Sequence, residues 1–184
     1  MKTIYLASKS PRRKELLRQI GVNFELLPLR EYPPERRDVD ESPLADENPV
    51  DYVRRIARIK AEAAARIMTA RRLPLRTVLA ADTTVTLDGE IFGKPVDDAD
   101  ARRMLERFSG RTHQVLTAVA VHDGNTLKEI LSTSDVTFRP LSATEIAAYV
   151  SSGEPRDKAG AYGIQGRAAI FISHLAGSFT GVVG

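Results

Sequence analysis

Apolar positions along the chain change period several times, and each change marks an element. Ile4 to Ala7 is a short apolar run, read as a strand. A polar turn follows, then Leu16, Leu17 and Ile20 at helical spacing. Ser10 suits an N-cap, Pro11 the first helical position and Gly21 the stop. Val22 to Leu27 reads as a second strand. From Leu29 to Pro49 the periodicity fades among prolines and acids, so a long loop is expected, functional or mobile. Asn48 and Pro49 then open a helix with an apolar stripe of Val53, Ile56, Ala57, Ala61, Ala64, Ile67 and Met68. Thr77 to Ala81 is a strongly apolar core strand ending in Asp82-Thr83-Thr84, with Val85 to Leu87 continuing extended. Asp88-Gly89 signals a hairpin, and the chain returns through Ile91-Phe92 to Gly93-Lys94-Pro95.

A third helix covers about 99–108, with Ala101, Met104, Leu105 and Phe108 inward and Ser109-Gly110 as its stop. Thr112–His122 and Lys128–Phe138 alternate as two long strands joined at Asp123-Gly124-Asn125, hence antiparallel. Ser142-Ala143-Thr144-Glu145 is a capping box opening a fourth helix that Gly153 stops. A glycine-rich stretch runs from Glu154 to Gly166, and Ala168 to His174 reads as a last strand. No closing helix is expected after Gly181.

Composition narrows the class. At 184 residues the chain suits one domain, or one domain in two lobes. A formal net charge of +3, with acids interspersed among the bases, argues against wholesale nucleic-acid binding. The absence of cysteine removes thiolate metal sites and nucleophiles. No apolar run approaches transmembrane length and no signal peptide is evident, so no membrane partner and a cytoplasmic location are expected. His113 and His122 lack partner ligands at metal spacing and read as structural or surface residues.

Several polar residues depart from what packing alone would choose. Arg12, Arg13 and Lys14 crowd a helix start, where cations oppose the dipole at a cost of a few tenths of a kcal/mol each, roughly. A bound polyphosphate would offset that conflict; a merely basic surface helix is the plainer reading. Lys60 falls on the apolar stripe of its helix, where it either snorkels to the edge or meets a negative ligand, while Arg54, Arg55 and Arg58 read as solvated. Asp82 reads as a carboxylate at the end of a core strand, a place suited to chemistry in an α/β sheet, or as a turn residue. Asp40-Glu41 is an acidic pair in the long loop. In the glycine-rich stretch Lys158 can meet phosphate, and Gln165 offers donor and acceptor to a base edge. Oxygen ligands without His or Cys suit Mg²⁺ or Mn²⁺.

Three stretches taken together carry a resemblance. Leu6-Ala7-Ser8-Lys9-Ser10-Pro11-Arg12-Arg13, Ala81-Asp82-Thr83 with Gly93-Lys94-Pro95, and Asp157 to Gly166 closely resemble the Maf family of nucleoside triphosphate pyrophosphatases. Ser109 to His113 and Gly177 to Gly184 add to the match, which runs end to end except for a loose fit over Leu29–Pro49. The resemblance implies an α/β fold like that of inosine triphosphate pyrophosphatases: a long twisted mixed sheet flanked by helices, with two lobes around a cleft. It implies hydrolysis of a nucleoside triphosphate between the α and β phosphates, with a divalent cation, Mg²⁺ or Mn²⁺.

By the same resemblance Asp82 matches the proton acceptor and, with Glu41, the metal site. Arg12, Thr83 and Gln165 match positions tied to base choice, and Ser8, Arg13, Lys60, Lys94 and Lys158 other substrate-binding positions. Pro11-Arg12-Arg13, Asp82-Thr83 and Tyr162-Gly163-Ile164-Gln165 are similar to the branch that takes dTTP and UTP, rather than the one that takes 7-methyl-GTP. Clearing non-canonical nucleotides is one role such an enzyme could serve. Family chains usually continue past Val-Val-Gly with Leu-Pro and a helix, so residues 1–184 are expected to form one domain with a shortened C-terminal end. The oligomeric state, a homodimer among the options, stays open. The rival readings are a nucleotide-binding regulator linked to cell division without turnover, and a nucleic-acid binder using Arg12 to Lys14.

Overall fold

The computed structural model describes residues 2–184. Its strands are β1 (Ile4–Leu6), β2 (Phe24–Leu26), β3 (Val78–Leu87), β4 (Glu90–Phe92), β5 (Thr112–His122), β6 (Leu127–Phe138) and β7 (Ile172–Ala176). Its helices are α1 (Pro11–Gln19), α2 (Pro49–Ala70), α3 (Asp98–Phe108), α4 (Ala143–Ser151) and α5 (Phe179–Val183). Strand order is β2-β1-β3-β5-β6-β7, with β4 paired to β3 off that path. β1 runs parallel to β2 and β3, while β4 on β3 and β7 on β6 are antiparallel, so the sheet is mixed. No helix among the described residues is long and apolar enough to cross a membrane.

The chain divides into two compact units. The first comprises Met1–Asp82, Ala118–Leu131 and Gly184. In it, α1 starts as its sequence dictates: the Ser10 side chain accepts from the Arg13 N–H at 3.4 Å, with Pro11 at the first position. It ends in a Schellman pair, Val22 N–H to the Leu17 carbonyl and Gly21 N–H to that of Arg18. Gly21 takes the left-handed φ of 70° that this stop requires. Only Leu17 of the expected stripe is buried; Ile20 is exposed. α2 is capped by Asn48, which accepts from the Asp51 N–H at 3.0 Å. It buries Val53, Ile56, Ala57, Ala61, Ala64 and Met68 as expected, with Ile67 only half-buried and Ala63 and Ala65 also covered. So many alanines let a helix lie close to a neighbouring surface, and each still buries apolar area.

The second unit comprises Thr83–Thr117 and Ser132–Val183. Asp88 and Gly89, with φ of 54° and 80°, turn β3 back into β4, the two-residue hairpin that right-handed strand twist favours. Its core gathers Val85, Phe92, Leu105, Phe108, Phe138, Tyr149, Tyr162 and Phe171. His113 is part of that core. Its ring stacks on Phe108 at 4.4 Å, and its Nε2 shares a 2.7 Å hydrogen bond with the Tyr162 hydroxyl. Two expectations fail here. Arg167–Phe171 forms a 3-10 turn and the last strand starts only at Ile172; Arg139 N–H donates to the Phe171 carbonyl at 2.9 Å, a bond made at the end of that turn. Phe179–Val183 is a short helix, begun by Ser178, whose Oγ accepts from Gly181 N–H at 3.0 Å.

Burial pushes the His113 imidazole down to about 3. The unfolded chain therefore takes up a proton near pH 6.5 that the folded chain refuses until much lower pH. Stability from this group is complete above pH 6.5 and is lost as pH falls toward 3, at up to about 1.4 kcal/mol per pH unit. His113→Phe should remove that slope between pH 6 and 4 in urea unfolding; an unchanged slope would exclude His113 as its source.

Candidate active site

Asp82 does not end its strand. It is the fifth residue of β3, because Thr83, Thr84, Val85 and Thr86 after it are β-formers that carry the ladder on. Its carboxylate is nearly buried, with 12% of the side chain exposed. Lys60, from the middle of α2, brings its ammonium to Asp82 Oδ1 at 2.9 Å and to Glu41 Oε2 at 2.8 Å. The lysine thus ends among carboxylates, with 14% of its side chain exposed, and does not snorkel into solvent.

Arg13 lies in the same unit. It donates to the Ala81 carbonyl at 2.7 Å, to the Gly184 carbonyl at 3.0 Å and to Ser8 Oγ at 3.4 Å. Burial lowers the Arg13 pKa, and the Asp82 charge opposes that effect. Ser8 is buried and also accepts from the Ser10 N–H at 3.2 Å. Glu41 and Asp82 thus face the cations Lys60 and Arg13, with the Arg12 charge acting on Arg13 as well. Burial, then the charges of Asp82 and Glu41, push the nearby Tyr52 phenol up to about 12, so it stays a hydroxyl.

The structure thus gathers Ser8, Arg13, Glu41, Lys60 and Asp82 in the first unit, with Arg12 half-buried in the first turn of α1. The rest of the expected set lies in the second unit. Thr83 Oγ1 is 3.0 Å from Thr117 Oγ1, and Thr117 donates to the Gly181 carbonyl at 2.7 Å. With Thr117's single proton so used, Thr83 is the donor between the two hydroxyls. Lys94 is exposed, next to Gly93, whose carbonyl accepts from Gly160 N–H at 3.0 Å. Gly160 has φ of 68°, and a Cβ there would come within 2.8 Å of Val85, so only glycine closes this turn. Lys158 is folded back onto the Glu154 carbonyl and Asp157 Oδ1, both at 2.6 Å, and Gln165 is exposed.

Sequence reasoning missed Tyr52 and Arg55. Arg55 is no solvated charge: it grips Glu47 with two 2.6 Å bonds, and its side chain is 18% exposed. Glu47 is held down to about 2 by that guanidinium. The signal available was an arginine three residues after a tyrosine, on a helix that follows an acidic loop.

Among the described residues no group of three or more His, Cys, Asp or Glu could hold a metal ion. Glu41 and Asp82 alone supply two converging carboxylates, a donor set that fits a hard cation arriving with phosphate oxygens as further ligands.

A family model described as Maf-like protein matches residues 3–184. The chain belongs to the Maf-like protein family. It is 56% identical over 181 residues to a dTTP/UTP pyrophosphatase of Dechloromonas aromatica, covering 98% of this chain and 90% of that one. It is 57% identical over 182 residues to a dTTP/UTP pyrophosphatase of Aromatoleum aromaticum, covering 98% and 88%. A dTTP/UTP pyrophosphatase of Chromobacterium violaceum is 55% identical over 181 residues, with 98% and 87% covered.

Removing the ammonium leaves two carboxylates facing each other with little water around Asp82. Lys60→Met is expected to lower stability by about 1–3 kcal/mol, below the full cost of a buried unpaired charge because Glu41 is partly solvated. Asp82→Asn in the same chain should return part of that loss. Urea unfolding of the single and double variants, with exposed Arg58→Met as control, checks it; equal stability of the Lys60 and Arg58 variants would contradict it.

Proposed function

We propose that the protein hydrolyses dTTP and UTP between the α and β phosphates, releasing the nucleoside monophosphate and pyrophosphate. The observation that carries this is the convergence of Glu41 and Asp82 on Lys60, in a chain about 55% identical to proteins named for that activity. The regulator without turnover gains no support from these relatives, which are named as enzymes. A cytoplasmic setting, where nucleoside triphosphates are made and used, completes the reading.

Asp82 accepts a proton from the attacking water. The water oxygen bonds to the α phosphorus, the bond from that phosphorus to the bridging oxygen breaks, and the electron pair leaves with pyrophosphate. Catalysis of this kind is mostly positioning and charge stabilisation. Lys60 can turn its ammonium from the carboxylates to a phosphate oxygen, a move its flexible stem permits. Arg13, tied to Ala81 and Ser8, is the fixed cation that holds the local field. Mg²⁺ or Mn²⁺, held by Glu41 and Asp82, would supply phosphate neutralisation and a lower water pKa. Lys94 and Lys158 are assigned to the phosphates, Ser8 to their positioning, and Arg12, Thr83 and Gln165 to the base. Lys158 must leave its bonds to Glu154 and Asp157 to serve.

Asp82→Asn keeps the shape and removes the acceptor, so dTTP turnover should fall roughly 10²-fold or more. Pyrophosphate release by the folded variant at near wild-type rate would remove Asp82 from its role.

Base choice by hydrogen bonds penalises a base that leaves a buried group unpaired by about 1–3 kcal/mol. The ratio of kcat/KM for dTTP or UTP over 7-methyl-GTP should therefore reach tenfold or more. Faster cleavage of 7-methyl-GTP would overturn the pyrimidine assignment and leave the α–β cleavage standing.

A further inference from the structure

Glu41 sits in a stretch with little secondary structure of its own, yet its carboxylate reaches Lys60 at 2.8 Å. Something must hold that stretch to α2. The contacts come from one face of the first turns of α2. The Tyr52 hydroxyl donates to the Glu41 carbonyl at 3.0 Å. Arg55 donates to the Ser42 carbonyl at 3.0 Å and grips both Glu47 oxygens at 2.6 Å. The Arg55 guanidinium also lies 5.6 Å from the centre of the Tyr52 ring, so the two side chains, three residues apart on the helix, brace each other. Glu47 in turn accepts from the Leu44 N–H at 3.1 Å, and Asp40 from the Ser42 N–H at 2.9 Å, which closes the segment on itself.

We infer that Tyr52 and Arg55 are positioning residues: they clamp residues 41–47 to α2 and so set the Glu41 carboxylate opposite Asp82 at the Lys60 ammonium. The inference rests on the proposed pyrophosphatase reading of that centre. The clamp and the centre share one helix, with Lys60 eight residues beyond Tyr52, about 12 Å along the axis. The rigid helix therefore fixes both the lysine and the loop that brings Glu41 to it. A planar guanidinium is suited to the task. It makes a forked pair with Glu47 and still reaches the Ser42 carbonyl, a geometry one ammonium cannot reproduce. The Tyr52 hydroxyl, kept protonated by burial and by the two carboxylates, remains a donor across the physiological range.

A clamp that acts through Glu41 loses its effect when Glu41 has lost its charge, and a mutant cycle reads that coupling. Tyr52→Phe, Arg55→Met and Arg55→Lys are each made in the wild-type chain and with Glu41→Gln, and kcat and KM for dTTP are measured at varied Mg²⁺. In the wild-type chain each should lower kcat/KM roughly tenfold and raise the Mg²⁺ needed for half-maximal rate, with Arg55→Lys recovering only part. In the Glu41→Gln chain the same changes should cost less than about twofold. Equal losses in both chains, or no loss in the wild-type chain, would overturn the inference and leave the pyrophosphatase reading intact. Failure of the wild-type protein to cleave dTTP or UTP would overturn that reading, and the positioning role with it. Tyr52→Phe removes a single oxygen and decides the matter if Arg55→Met does not fold.

Discussion

A lysine ammonium set between two carboxylates is costly to assemble. Each charge gives up water, and the cost is recovered only if the three meet at hydrogen-bond distance. Here they do, with Lys60 at 2.8 and 2.9 Å from Glu41 and Asp82. The geometry demands three elements that are remote in sequence: the middle of α2, the fifth residue of β3, and a loop that α2 itself holds down. Much of the first unit can be read as serving that demand. The alanine-rich face of α2 is buried along its length, and the Arg13 contacts tie the start of α1 to the β3 backbone beside Asp82.

The second unit follows a different logic. Its aromatic core around Phe108, His113, Phe138 and Tyr162 is well packed, with His113 Nε2 and the Tyr162 hydroxyl paired and the buried His113 Nδ1 left without a partner among the described residues. Of the polar residues assigned to substrate in this unit, Thr83 lies in β3, Lys94 and Gln165 are exposed, and Lys158 is engaged by its own neighbours.

Local rules were legible where one residue decides the outcome. Ser10, Asn48 and the Ser142 box cap their helices, and Asp88-Gly89 turns its hairpin, because each satisfies orphan backbone groups or a left-handed φ by itself. The apolar stripes of α2 and α3 were legible for the same reason that periodicity works. What failed was decided by partners outside the element being read. Asp82 read as a strand end because acids rarely sit mid-strand; Lys60 and the threonines that follow make the position tolerable. Arg55 read as solvated because nothing in the helix pattern reveals that Glu47, just before the Asn48 cap, folds back onto it. The final strand begins late because residues 167–171 first wind into a 3-10 turn, with Ala169 N–H on the Gly166 carbonyl. Of the candidate site, residue pattern alone foreshadowed only a lysine on an apolar stripe; its carboxylate partners Glu41 and Asp82 had no signal in spacing and came from the family resemblance.

The claim that everything else leans on is chemical: the centre at Asp82 directs water to the α phosphorus of a pyrimidine triphosphate. Hydrolysis of dTTP in ¹⁸O-labelled water tests it directly, by mass spectrometry of both products. One labelled oxygen in the nucleoside monophosphate and none in pyrophosphate is the predicted result. Label in pyrophosphate, or release of orthophosphate with the diphosphate, would place the attack at another phosphorus and contradict the account.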